Sequence, residues 1–189
     1  MRGGDGGFSI LEVLVATSLL TVGVLALAQL FTISTRANVS AKTTTFATLL
    51  AQQKMEQLRG LTWGFDALGL PQTDTTTDIS LVPEAQAAGG RRGLSPSPVG
   101  ALGQNTPGYC DIVDKNGNSL GACGTPNPAA YYVRRWAVEP LPTNPNNTVV
   151  LQVLVARNLS RGAADQIVDT VKRLPDEARI ISVKTRKAS

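Results

Sequence analysis

The chain has 189 residues, of which 42% are hydrophobic, 17% charged and 5% aromatic, with a net charge of +4. It holds no histidine, which removes the commonest general base and metal ligand, and its two cysteines are too few for a zinc site of about four Cys or His ligands. The basicity is mild and scattered: Arg91-Arg92, Arg134-Arg135 and the run from Lys184 to Lys187 read as solvated faces, with no footprint for specific nucleic-acid binding.

In chain order, a short polar stretch (1–7) precedes an apolar run from Phe8 to Ile33, FSILEVLVATSLLTVGVLALAQLFTI. That run exceeds the ~20 residues needed to cross a bilayer. It carries one charge, Glu12, and a lone carboxylate inside a span costs about 3 kcal/mol, so it calls for a partner. A cut between Gly7 and Phe8 supplies one. The new α-amino group would lie four residues from Glu12 and neutralise it within the chain or on a neighbouring subunit, where pairing in low dielectric fixes register between helices. Two plainer readings compete. Ala26-Leu27-Ala28 before Gln29 fits an ordinary signal-peptide cleavage site, and a simple anchor needs no cleavage at all. Against the first stand the length of the apolar run, the interruption by Glu12 and a helical pattern that continues through the cut. The second leaves Gly7, Phe8 and Glu12 unexplained.

The succession Gly7, Phe8-Ser9-Ile10-Leu11-Glu12-Val13-Leu14-Val15-Ala16 resembles the class III signal of type IV prepilins and type II secretion pseudopilins. The resemblance implies a leader cleaved after Gly7 by a prepilin peptidase, N-methylation of Phe8, and Glu12 in the place of the family's assembly glutamate. The implied partners are that peptidase, other pilins or pseudopilins met through helix packing, and the inner-membrane assembly platform. The implied location is the bacterial inner membrane, single-pass, with the C-terminal domain in the periplasm and later in a cell-surface filament. The leader departs from the pattern in having one basic residue, Arg2, beside the acidic Asp5. Gln29-Leu30 stands where many major pilins carry proline, which favours a minor pilin or a pseudopilin.

The helical pattern continues past the apolar run. Between Phe8 and Arg59 there is no proline and Gly23 is the only glycine, while Val39, Phe46, Leu49, Leu50, Met55 and Leu58 recur at helical intervals. Gln52 to Arg59 is rich in helix formers, Gly60 supplies a stop, and the β-branched Thr43-Thr44-Thr45 is a weak spot. At about 1.5 Å per residue such a helix measures about 78 Å. Its apolar half (8–33) is predicted to span a membrane and its amphipathic half (34–59) to support a body. Ala16, Thr17, Ser18, Gly23, Ala26 and Ala28 offer close approach to neighbouring helices, or simply suit a span. Thr48 to Trp63, TLLAQQKMEQLRGLTW, resembles the same region of V- and I-type minor pilins.

From 60 to 128 the chain is loop-rich, with one short strand expected near Ile79 to Val82. Cys110 and Cys123 bracket DIVDKNGNSLGA, whose Asn116-Gly117 marks a tight turn. A disulfide closing this loop implies an oxidising compartment; two free thiols are the alternative. Asp111, Asp114, Asn116 and Asn118 have some character of a calcium loop, but their spacing is not that of an EF-hand, so a solvated turn and no metal or cofactor are expected. From 129 to 189, strands are predicted at Tyr131 to Glu139, Thr148 to Ala156 and Arg179 to Thr185, with a short helix over 163–174. In the first strand Tyr132, Trp136 and Val138 share a face that Arg134 interrupts; the second is apolar on both faces, as in a central strand.

The expected fold is α+β: a long N-terminal helix packed on a small antiparallel sheet. The expected function is structural, a minor pilin resembling the V type, with a pseudopilin or a membrane-tethered binding protein as alternatives. No catalytic residues are expected. Gly89-Gly90 lacks the Lys-Ser/Thr of a phosphate loop, and no serine or cysteine has a histidine to activate it.

Overall fold

The computed structural model of the chain describes residues 7, 9–80, 85–86, 92–124, 126–158 and 177–186. The chain divides into two units, Met1–Lys42 and Thr43–Ser189. One helix, α1 (Ile10–Gly60), supplies nearly all of the described part of the first and the opening element of the second. Ser9 starts it. Its hydroxyl accepts from the Leu11 N–H at 3.3 Å, satisfying one of the donors that every helix start leaves open, and its carbonyl accepts the first helical bond, from the Val13 N–H at 3.1 Å. The threonine run does not interrupt it, since Thr48 returns its hydroxyl to the Thr44 carbonyl at 2.9 Å. Within the first unit every described residue is exposed except the half-buried Ser40.

In the second unit α1 turns amphipathic. Ala47, Leu50, Ala51, Lys54, Met55 and Leu58 are buried, a stripe of three- and four-residue steps. Two small hairpins follow, β1 (Trp63–Phe65) with β2 (Pro71–Thr73) and β3 (Thr77–Asp78) with β4 (Ala85–Gln86). The remaining strands are β5 (Cys110–Val113), β6 (Ser119–Ala122), β7 (Tyr132–Pro140), β8 (Thr148–Arg157) and β9 (Ala178–Thr185). They form one antiparallel sheet in the order β6-β5-β7-β8-β9. The fold is therefore α+β, a long N-terminal helix whose C-terminal part packs on a small antiparallel sheet.

Alternation along the strands sorts the side chains onto two faces. Val113, Tyr132, Trp136, Val138, Leu151, Val153 and Val155 join Ala47, Leu50, Met55 and Leu58 in the main core. Cys110, Ile112, Cys123, Val133 and Ala156 form a smaller cluster on the opposite face, where Leu102 also covers Ala137 and Leu154. The apolar double face of β8 follows from its place between β7 and β9. The strand expected at Ile79 to Val82 is displaced: β3 ends at Asp78, and Ile79 is a turn residue buried in the core. Positions 81–82 and the helix expected over 163–174 lie outside the described residues.

Candidate functional site

The N-terminal signal is partly visible. Gly7 is exposed, Phe8 lies outside the described residues, and Glu12 sits in the first turn of α1. Among the described residues Glu12 makes no ion pair. Ser9 and Glu12 stand in the S-x-x-E spacing of a capping box, and a carboxylate there also suits the positive end of the helix dipole. The sequence held that signal, and reading Glu12 as a carboxylate in need of a cationic partner overlooked it.

Beyond Glu12 the helix is long and apolar enough to cross a membrane, and none of that apolar window is buried. Five of its hydroxyls are satisfied within the helix. Thr17, Ser18, Thr21, Thr32 and Thr35 donate to the carbonyls of Val13, Leu14, Thr17, Ala28 and Phe31 at 2.7–3.0 Å. A polar side chain bonded to its own backbone needs no water, so these five residues do not detract from compatibility with lipid.

The second feature lies between α1 and the sheet. Asp111 of β5 and Arg134 of β7 stand opposite each other in the ladder, both on the face toward α1. Arg134 grips Asp111 with two bonds, Nε to Oδ1 at 2.7 Å and Nη2 to Oδ2 at 2.8 Å, and donates to Gln53 Oε1 at 3.2 Å. Lys54 of α1 reaches the same carboxylate at 2.8 Å, lies 4.5 Å from the centre of the Trp136 ring, and donates to the Ile79 carbonyl. Lys54, Asp111 and Arg134 are all fully buried. Arg134-Arg135 is therefore no solvated face: Arg134 belongs to the inward row it was expected to interrupt, and Arg135 is 8% exposed and donates to Asn105 at 3.0 Å.

The C-terminal basic run is also engaged. Lys184 donates to the carbonyls of Arg59 and Leu61 where α1 ends, and burial followed by the nearby Arg59 charge holds its pKa below the ordinary lysine value. Arg186 stacks 3.8 Å from the centre of the Trp63 ring and donates to the carbonyls of Gly64 and Gln72, tying the end of β9 to the first hairpin.

The third feature is the β5–β6 hairpin, closed at its base by the Cys110–Cys123 disulfide. Asp114 organises its turn by accepting from the Asn116 and Asn118 N–H groups and from the Asn118 side chain, each at 2.8 Å. Those bonds, the Asn118 side chain first, hold the Asp114 pKa below the ordinary carboxylate value. Gly117 adopts φ +88° and backs onto α1, where a Cβ would meet Phe46 Cζ at 3.3 Å. Asp111 and Asp114, read together from sequence as a loop, thus serve different partners. Among the described residues no group of three or more His, Cys, Asp or Glu is placed to hold a metal ion.

Comparison of the chain with models of known protein families gave no match, and neither did comparison with curated proteins or with solved structures.

Proposed function

We propose that this chain is a type IV pilin-like subunit, a minor pilin that primes or decorates a filament and is assembled through α1. Prepilin peptidase would remove residues 1–7 and methylate Phe8, leaving the mature chain in the inner membrane until the assembly platform incorporates it. The supporting observation is one uninterrupted helix, Ile10–Gly60, that begins beside the Gly7-Phe8 signal and carries Glu12 in its first turn. Its apolar window is wholly unburied, while its last turns are built into the core of a small sheet. A simple anchor has no need of a helix continuous from span to core. The pseudopilin reading shares every one of these features.

Glu12 has two possible duties, pairing with a cleaved N-terminus and capping α1, and they respond differently to substitution. Glu12→Ala removes both; Glu12→Gln removes the charge and keeps the capping side chain. Under the pairing reading both variants are processed and both enter filaments at no more than about a tenth of wild-type level, one factor of ten per ~1.4 kcal/mol. Quantitative immunoblotting of sheared filaments checks this. Incorporation of Glu12→Gln at the wild-type level would assign Glu12 to capping and defeat the pairing.

A further inference from the structure

A cavity of about 180 Å³ opens on the sheet face away from α1, beside the disulfide. Three asparagines line it, Asn105, Asn127 and Asn158, over a floor that includes Ile112, Ala130 and Cys123, and no charged or aromatic side chain lines it among the described residues. The orientation of each amide is dictated by its protein partner. Asn105 Oδ1 accepts from the Arg135 guanidinium at 3.0 Å and Asn127 Oδ1 from the Ala129 N–H at 2.9 Å, so both keep their NH₂ donors available. Asn158 does the reverse: its Nδ2 donates to the Ala130 carbonyl at 3.3 Å, and its Oδ1 remains available as an acceptor.

Two neutral donors and one neutral acceptor around an apolar floor match the two ends of a peptide bond. We infer that this cleft binds an extended, uncharged polypeptide segment, its carbonyl oxygen taken by Asn105 and Asn127, its N–H by Asn158, and a small apolar side chain seated on Ile112 and Ala130. Among the described residues no charged side chain lines the cleft to offset the desolvation of an anionic or cationic ligand. Among the described residues no aromatic platform is present for flat rings that bind by stacking. The volume falls below the ~300–1,000 Å³ of sites that enclose whole small molecules, as expected for a groove that a chain crosses. This inference is independent of membrane insertion and of filament assembly.

The test is a titration of the full-length, ¹⁵N-labelled chain in detergent micelles with the blocked tripeptide N-acetyl-Ala-Val-Ala-amide, followed by NMR. Saturable shifts are expected in the side-chain amides of Asn105 and Asn127 and in the backbone amides of Ile112 and Ala130. Asn105→Asp and Asn127→Asp each keep the internal Oδ1 bond and replace only the donor facing the cleft, so the fold survives and affinity falls about tenfold per variant, the worth of one hydrogen bond. No saturable shift at 10 mM tripeptide overturns the proposal, as does unchanged affinity in both variants. Methyl-β-D-glucoside is the control ligand: equal or tighter binding of the glucoside at the same signals would reassign the cleft to saccharides.

Discussion

Asp111 carries more of the second unit than its neighbours in sequence indicate. One buried carboxylate accepts from Arg134 of the adjacent strand and from Lys54 of the helix, so it joins α1 to the sheet at a single point. Breaking a buried pair costs more than replacing it, because the surviving charges lose their counter-ion in a medium that solvates them poorly. Asp111→Asn is therefore expected to lose about 3–5 kcal/mol of stability, whereas the triple variant Lys54→Met, Asp111→Leu, Arg134→Met should retain most of it. Chemical denaturation of the full chain in detergent measures both, and equal losses would remove the ionic explanation. The alternation that puts Arg134 in line with Tyr132 and Trp136 was legible in sequence. Its partner was not, since pairing Asp111 with Arg134 depends on the register of two strands far apart in the chain.

Asp114 acts more locally. Its pKa is lowered in the folded chain, chiefly by the Asn118 side chain, so its contribution to stability is fully present above the ordinary carboxylate value of 3.8 and is lost as pH falls through the lowered one. In an NMR titration Asn118→Ala should move the Asp114 midpoint upward toward 3.8; an unmoved midpoint would contradict the assigned cause.

Among the elements, those with a strong periodic signal were read nearly to their ends. The helix continues to Gly60, where a glycine and the loss of the apolar stripe end it, and the strands beginning at Tyr132, Thr148 and Ala178 fall within a residue or so of expectation. The β5–β6 hairpin was legible from Asn116-Gly117 between two cysteines, because a tight turn with positive φ and a staple leave few alternatives. The first two hairpins were not. Their strands are two or three residues long, too short for an alternating pattern, and the first is held by a side chain from far along the chain, Arg186 on Trp63. The amide cleft escaped for a related reason: its asparagines come from three separate segments.

The hairpin bears directly on stability. Cys110 and Cys123 close a loop of 13 positions, and a cross-link of that length removes about 3 kcal/mol of loop entropy from the unfolded chain. The double variant Cys110→Ser, Cys123→Ser should lose about that much in denaturant, with α1 still helical by circular dichroism. A variant as stable as wild type would show that the turn, anchored by Asp114 and backed by Phe46, is sufficient without the bridge.

At the level of the whole molecule, two demands meet on one helix. Its N-terminal part is apolar all round, with hydroxyls turned onto its own carbonyls, and its C-terminal part is amphipathic, with one stripe in the core. A sequence can satisfy both only by changing its pattern while keeping the helix unbroken, and the stretch around Thr43 makes that change without a proline or glycine. The mature N-terminus decides between the uses of such a helix, and intact-mass and tandem mass spectrometry of the purified protein read it directly. A chain beginning at N-methylated Phe8 is the expected result. A chain beginning at Gln29 would mean ordinary secretion, one retaining Met1 a simple anchor, and either would contradict the filament-subunit reading.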